Sequence, residues 1–91
     1  MVKAGLAYGH HLYVLSNGPL VKIGRSCDVD RRLGEHRRSN PWGDIKLVAV
    51  FEEAGCLEPL VLRALSQHER RGEWVNCTVG EALSAVGAVF V

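Results

Sequence analysis

The sequence predicts an α+β fold in which a small antiparallel sheet of about three strands is flanked by helices. The chain of 91 residues has room for one domain, since a second would need roughly 100 residues of its own. The turn signal Asn17-Gly18 separates two β-rich runs and predicts a hairpin. Helix-like and strand-like patterns then alternate to the end of the chain. We expect an N-terminal extension over residues 1–10 and a single domain over residues 11–91.

The hairpin is predicted over residues 11–25. Its second strand alternates, so Lys22 and Gly24 share one face while Ile23 and Arg25 share the other. A first helix is predicted from about residue 28 to residue 38, with Ser26 or Asp28 as its N-cap. The apolar run over residues 45–51 then predicts a buried strand.

Apolar residues at helical spacing predict a second, amphipathic helix that contains Leu57, Leu60, Val61, Ala64 and Leu65. Residues 73–75 predict a short edge strand or a packed loop. Thr78 and Glu81 have the spacing of a capping box, which predicts the start of a last helix. We expect that helix to be apolar on the face that carries Val79, Leu83 and Val86.

The net charge is only +1, but the cations are unevenly distributed. A basic segment between residues 22 and 38 contains Lys22, Arg25, Arg31, Arg32, Arg37 and Arg38. This local concentration predicts a specific anionic partner rather than general binding to polyanions. Cys27, Cys56 and Cys77 form no C-x-x-C pair, so we expect no zinc cage and three reduced, mostly buried thiols. We see no membrane helix or signal peptide and expect a cytoplasmic protein, or a nuclear one in a eukaryotic or viral setting.

Five side chains have the chemistry that phosphate hydrolysis needs. Tyr13 is central in the first strand, and Lys22 is in the second. Arg32 and His36 are four residues apart, so they project from one face of the first helix. Glu58 stands at the start of the second helix, next to Leu57 and away from the apolar stripe of that helix.

The motifs Leu12-Tyr13-Val14 and Lys22-Ile23-Gly24, with Arg32 eight residues after that glycine, resemble the GIY-YIG nuclease superfamily. The likeness is strongest to its small phage and bacterial branch, whose second motif reads K-I-G. It extends over roughly residues 12–86 and includes Asp28, Leu57-Glu58 and Gly72-Glu73-Trp74.

The resemblance implies a small antiparallel sheet with flanking helices and metal-dependent hydrolysis of phosphodiester bonds in nucleic acid. By position, it makes Tyr13 the tyrosine of the first motif, Arg32 the catalytic arginine and His36 the residue one turn later. It makes Glu58 the ligand of Mg²⁺ or Mn²⁺, and Gly24 a structural residue of the second motif.

Physical chemistry supports these roles. The guanidinium of Arg32 can bind the developing negative charge by two hydrogen bonds. One carboxylate, that of Glu58, suffices for Mg²⁺ when the substrate supplies further oxygens. Tyr13 or Lys22 could hold or deprotonate the attacking water if its pKa fell from about 10 toward 7, and His36 could assist proton transfer. We expect the remaining arginines of the basic segment to bind nucleic acid, DNA more than RNA: Arg25, Arg31, Arg37 and Arg38.

Three departures from the family pattern leave alternatives open. The first motif has no leading glycine, Lys22 stands where many members have tyrosine, and Pro59 follows Glu58 directly. Lys22 either replaces the tyrosine as a phosphate or water contact or marks an altered site. The alternatives to an endonuclease are a catalytically silent nucleic-acid-binding module and a homo-oligomeric interaction domain, in which the apolar end 88–91 adds to a sheet edge. We also expect low sequence specificity, structure specificity, or dependence on a homodimer or an accessory recognition protein.

Overall fold

The computed structural model describes residues 10–41 and 43–90, so most of the expected N-terminal extension, Trp42 and Val91 lie outside the described residues. Within these ranges the chain has the predicted α+β fold. Its elements are β1 (His11–Ser16), β2 (Val21–Ser26), α1 (Val29–Ser39), β3 (Lys46–Phe51), a 3₁₀ turn (Gly55–Leu57), α2 (Glu58–Ala64), β4 (Arg70–Arg71), β5 (Trp74–Val75) and α3 (Val79–Phe90).

The sheet is antiparallel, and its strands lie in the order β3-β1-β2-β5-β4. The three six-residue strands match the expected sheet. The structure adds a short hairpin, β4–β5, whose two strands have two residues each and which lies beside β2. The short strand expected at residues 73–75 is therefore β5, but it is not at the edge, because β4 flanks it.

β1 is the middle one of the three long strands, and both of its faces are covered. Leu12 and Val14 enter the main core, which α2 and α3 complete. Tyr13 and Leu15 point to the opposite face, where Leu33 of α1 covers them. This explains why β1 is apolar without a break, since a strand buried on both faces has no need of alternation.

Local signals set the boundaries of the first three elements. The side chain of Asn17 accepts a hydrogen bond from the backbone N–H of Leu20 at 3.0 Å and closes the hairpin turn. Gly18 has a φ of 107°, which side-chain-bearing residues rarely adopt. Asp28 caps α1 by accepting from the N–H of Arg31 at 3.1 Å, and Ser26 accepts from the N–H of Asp28 at 3.0 Å.

The prediction that residues 45–51 form a buried strand is wrong. β3 is an edge strand, and Leu47 and Val50 are 37% and 38% exposed. The cluster around α1 contains Tyr13, Leu15 and Leu33 but neither of these side chains. An apolar run predicts that a strand packs against other apolar groups. It does not predict whether the neighbouring helix extends far enough to cover that strand.

The predicted apolar faces of the last two helices are also partly wrong. In α2 the core contacts come from Val61 and from Leu65 at the C-cap, whereas Leu60 is 46% exposed. A 3₁₀ turn precedes α2, and its three residues per turn rotate the stripe relative to an ideal α-helix. α3 buries Ala82, Ala85 and Val86 rather than Leu83.

The capping box of α3 is confirmed. The N–H of Thr78 donates to Glu81 Oε1 at 2.8 Å, and the N–H of Glu81 donates to Thr78 Oγ1 at 3.0 Å. The end of the described chain, residues 88–90, continues α3 as a helix. The expectation that this end adds a strand to another sheet is therefore not met by residues 88–90.

Two of the three cysteines differ from expectation. Cys77 is buried, as predicted, but Cys27 and Cys56 are exposed. Both exposed thiols lie in connecting segments, just before α1 and in the 3₁₀ turn. Among the described residues, no helix has the length and apolar character that crossing a membrane requires.

Candidate functional site

The site is built on the contact between Tyr13 and Gly24, which are directly opposite each other on β1 and β2. Tyr13 is only 2% exposed, and its ring lies over the backbone of Gly24. A β-carbon at position 24 would overlap with the Cζ and Oη atoms of that ring. The glycine of the second motif therefore leaves the space in which the tyrosine of the first motif lies.

His36 of α1 contacts the hydroxyl group of Tyr13. Tyr13 Oη and His36 Nε2 are 3.2 Å apart, and the two rings are tilted at 59°. Arg32 lies one helical turn before His36 and interacts with the Tyr13 hydroxyl. The structure thus brings together the tyrosine, the arginine and the histidine that the sequence singled out.

Lys22 is a buried lysine on the same face of β2 as Gly24. It is 5% exposed, and its Nζ atom lies 2.6 Å from Glu73 Oε1. The Glu73 side chain is 70% exposed and comes from the turn of the β4–β5 hairpin. The ammonium group therefore has a carboxylate partner that itself remains in solvent.

These side chains line one cleft of about 210 Å³ between α1 and the β5 end of the sheet. Its lining consists of Lys22, Arg32, Glu35, His36, Ser39, Asn40, Glu73 and Trp74. The indole of Trp74 meets the His36 ring edge-on, with a centroid separation of 6.5 Å. A wider depression between α2 and α3 has none of the predicted site residues in its lining.

Burial sets the protonation states in the cleft. It raises the pKa of Tyr13, an effect that the neighbouring Arg32 partly offsets. Burial also lowers the pKa of His36, and the positive charges of Lys22 and Arg32 lower it further. At neutral pH Tyr13 is thus a neutral phenol and His36 a neutral imidazole. Deprotonation of water by Tyr13 itself would require a lowered tyrosine pKa, whereas the pKa of Tyr13 in the free protein is raised.

The cations Arg32 and Lys22 have the same effect on the carboxylates that they pair with. Arg32 Nη1 donates to Glu35 Oε1 at 2.8 Å, which keeps the pKa of Glu35 below its usual value. The hydrogen bond from Lys22 does the same for the pKa of Glu73. Both acids are ionised at neutral pH, so they offset part of the positive charge that Lys22 and Arg32 bring to the cleft.

Glu58 lies outside the lining of the cleft but within electrostatic reach of it. Its charge raises the pKa of Tyr13, and its Oε1 atom is 3.7 Å from Arg25 Nε. The Glu58 side chain is 24% exposed, so solvent or an ion can reach it. Pro59 lies in the first turn of α2, where it removes no helical hydrogen bond.

A cage of protein ligands for a metal ion is not found in the described part of the chain. Residues 10–41 and 43–90 contain no group of three or more His, Cys, Asp or Glu side chains arranged for one. A single accessible carboxylate does fit Mg²⁺, which keeps several waters and completes its shell with phosphate oxygens. Glu58 is consistent with that mode of binding.

The other arginines of the basic segment diverge in their contacts. Arg31 and Arg38 are exposed on α1. Arg37 donates two hydrogen bonds to the carbonyl oxygen of Ile45, at 3.2 and 3.0 Å. The structure therefore ties one predicted nucleic-acid contact to the segment before β3 and leaves the other two in solvent.

Sequence reasoning assigned no site role to Glu73, Glu35 or Asn40, and it gave Trp74 core or rim packing, with base stacking as the alternative. All four residues line the cleft. Glu73-Trp74 belongs to the last motif of the resemblance, but its position opposite Lys22 was not predicted. The available signal was the lysine itself, because a lysine between apolar strand residues needs an anionic partner. Sequence alone could not locate that partner, 51 positions away.

Comparison with known proteins gives one match. The sequence pattern of the T5orf172 domain matches residues 10–90, which is nearly the whole chain and includes every residue of the cleft. This is a phage-associated domain related to nuclease-like folds of the GIY-YIG type. No curated protein and no solved structure matches the chain.

Proposed function

The chain belongs to the T5orf172 domain family, and from this premise we propose that it is a metal-dependent endonuclease of the GIY-YIG type that hydrolyses phosphodiester bonds in DNA. The observation that carries the proposal is the convergence of Tyr13, Lys22, Arg32 and His36 at one cleft. These residues come from β1, β2 and α1, and their order and spacing resemble the motifs of the GIY-YIG superfamily.

Arg32 and Lys22 bind the phosphate in this proposal. The guanidinium of Arg32 is permanently charged, and its side chain is 43% exposed, so it can approach a ligand while still paired with Glu35. Lys22 is fixed by burial and by its bond to Glu73. Two cations held in place before the substrate arrives stabilise the charge that develops in the transition state without reorganising.

Tyr13 and His36 handle the proton that the attacking water loses. A neutral His36 with its hydrogen on Nδ1 accepts a hydrogen bond from the Tyr13 hydroxyl at Nε2. Because the pKa of His36 is lowered, its ring is unprotonated at neutral pH. His36 can then take the hydroxyl proton of Tyr13 at Nε2 while that hydroxyl takes the proton of the water. This arrangement assigns the role of base to the histidine and that of proton relay to the tyrosine.

Glu58 is the residue that would hold the divalent ion, Mg²⁺ or Mn²⁺. The ion would supply positive charge next to the scissile phosphate. Arg25 lies close enough to hold the Glu58 carboxylate in position before binding.

The test is a nicking assay on supercoiled plasmid with Mg²⁺ or Mn²⁺. We expect Arg32→Ala to reduce the rate by a factor on the order of 10² to 10³, because a preorganised donor to the transition state is lost. We expect Glu58→Gln to abolish the metal-dependent nicking. Arg63→Ala and Glu52→Gln, which change exposed residues outside the cleft, serve as matched controls. Cutting that persists in both site variants would contradict the proposal.

A second candidate is a catalytically silent module that binds nucleic acid. It is favoured by the ion pair between Lys22 and Glu73 and by the raised pKa of Tyr13. Salt-sensitive DNA binding without cleavage in any divalent metal would support this candidate over the nuclease.

A further inference from the structure

We propose that Trp74 forms a stacking subsite for one unpaired DNA base, beside the phosphate that Arg32 and Lys22 bind. This inference rests on the proposed function and names the substrate class of the same cleft. It makes single-stranded or locally unpaired DNA, rather than regular duplex, the preferred substrate.

Trp74 is placed between the core and the cleft. It begins β5, and part of its indole packs against the cluster of Tyr13, Leu15 and Leu33. The ring also meets His36 edge-on, which leaves its orientation fixed. The half-buried indole borders the cleft with its remaining surface. Core packing explains why Trp74 contacts the cluster of Tyr13, Leu15 and Leu33. It does not explain why an aromatic side chain borders a charged cleft.

The lining of the cleft has the composition of a nucleotide site. Of the eight described residues that line it, seven are polar or charged, and the eighth, Trp74, has a large apolar surface. A phosphate needs the cations, and a base needs a π-face on which to stack. Lys22, Arg32 and Trp74 provide both within one cavity.

Stacking on Trp74 requires a base with a free face. Inside a regular duplex the neighbouring base pairs cover both faces of each base. A base must therefore leave its stack to reach Trp74, which costs least where it is already unpaired.

Stacking by itself predicts little sequence preference, because every base has a π-face. Asn40 is held by its Nδ2 donation to the carbonyl oxygen of His36, so it lies at a fixed place in the lining. The structure thus assigns selectivity for unpaired DNA to Trp74.

The experiment uses the Trp42→Phe variant, in which Trp74 is the only remaining tryptophan. Without divalent metal, an oligothymidylate should quench its fluorescence, whereas an abasic oligonucleotide of equal length and charge should not. In the same background, Trp74→Leu keeps an apolar side chain but removes the aromatic face. Because neither Trp74 variant contains tryptophan, their binding is measured by the anisotropy of a labelled oligothymidylate. We expect Trp74→Leu to bind it roughly 5- to 100-fold more weakly, while Trp74→Phe stays close to the parent.

Two controls make the result specific. Phe90→Leu removes an exposed aromatic ring on α3, away from the cleft, and should leave binding unchanged. A blunt-ended duplex of two fully paired strands should bind the parent and the Trp74→Leu variant with similar affinity, because its bases stay stacked.

Equal binding of the thymidylate and abasic strands, or equal binding by the leucine and phenylalanine variants, would overturn the stacking subsite. If these strands still bind in an Arg32-dependent manner, the proposed nuclease function stands while this inference fails. If the parent binds no oligonucleotide at all, both fail.

Discussion

At the residue scale, the structure explains why a glycine stands at position 24, in a motif that is short and unspecific in sequence. The ring of Tyr13 occupies the space in which any other residue at position 24 would place its β-carbon. The tyrosine can then be buried and still extend its hydroxyl to His36. The sequence predicted both positions but not their contact, which depends on the register of β1 and β2.

Gly24→Ala should therefore destabilise the fold by roughly 1–3 kcal/mol, the usual cost of forcing extra volume into a packed interior. Urea unfolding measures the change. Gly87→Ala is the matched control, because nothing lies within 4 Å of a β-carbon there and α3 gains helix propensity. We expect this control to stabilise by up to about 1 kcal/mol. A neutral Gly24→Ala would show that the tyrosine ring can move aside.

His36 predicts a dependence of stability on pH. Its pKa in the folded state lies below the value near 6.5 of an unfolded chain, so the unfolded state binds the proton more tightly. The free energy of unfolding should therefore be highest above pH 6.5 and fall as the pH drops through 6.5 toward the folded-state pKa. His36→Gln cannot take up this proton.

Urea unfolding at pH 7.5 and pH 5.5 tests this dependence. The parent should lose stability between the two pH values, and the glutamine variant should lose less. His68→Gln, on the far side of the sheet near α3, is the control that should keep the parental change. The same loss in parent and His36→Gln would contradict the assignment.

At the element scale, the sequence correctly predicted the turns and helix caps, which depend on hydrogen bonds between residues close in sequence. The turn at Asn17, the cap at Asp28 and the capping box of Thr78 are all contacts over three positions or fewer. It failed where neighbours distant in sequence decide. The phase of α2, the exposed face of β3 and the strand β4 depend on which element each side chain meets.

β3 also predicts an interaction with a second copy. Leu47 and Val50 face the same side of the sheet, because their partners on β1 are Leu15 and Tyr13 and a bulge lies between them. No described strand pairs with the outer edge of β3. In a two-fold antiparallel pairing, Leu47 of one copy would lie opposite Val50 of the other, which makes the edge self-complementary.

Sedimentation equilibrium should therefore detect a dimer whose fraction grows with concentration. Leu47→Lys should shift the protein toward monomer, because it places a charge against an apolar side chain. Leu83→Lys is the matched control, since this leucine on α3 is 38% exposed. A parent that sediments as a monomer at every concentration would rule out the pairing.

At the scale of the whole molecule, a net charge of +1 conceals an uneven distribution. Much of the basic segment is balanced inside the fold: Lys22 by Glu73, Arg25 by Glu58 and Arg32 by Glu35. Sequence showed the excess of cations but could not show this pairing, since two of the three acids are far away in the chain. The exposed arginines of α1 remain for long-range attraction of a polyanion.

The salt dependence of DNA binding tests this division. Each phosphate contact on duplex DNA adds about 0.9 to the slope of log affinity against log salt. Replacing both Arg31 and Arg38 by alanine should reduce that slope by about two units. Arg37→Ala should change it less, because this guanidinium already donates to a backbone carbonyl. Arg63→Ala is the control, and an unchanged slope in the double variant would contradict the assignment.

The β4–β5 hairpin forms one wall of the cleft, and it can open while the rest of the sheet stays folded. β5 is joined to β2 by the single registered pair of Val21 with Val75, and each strand of the hairpin has two residues. So short an attachment should open far more often than β1 or β2, and the amide hydrogens of residues 70–76 should exchange fastest within the sheet. Each opening would carry Glu73 and Trp74 away from Lys22 and His36. Under the proposed function, a product that leaves through this wall could do so no faster than the hairpin opens.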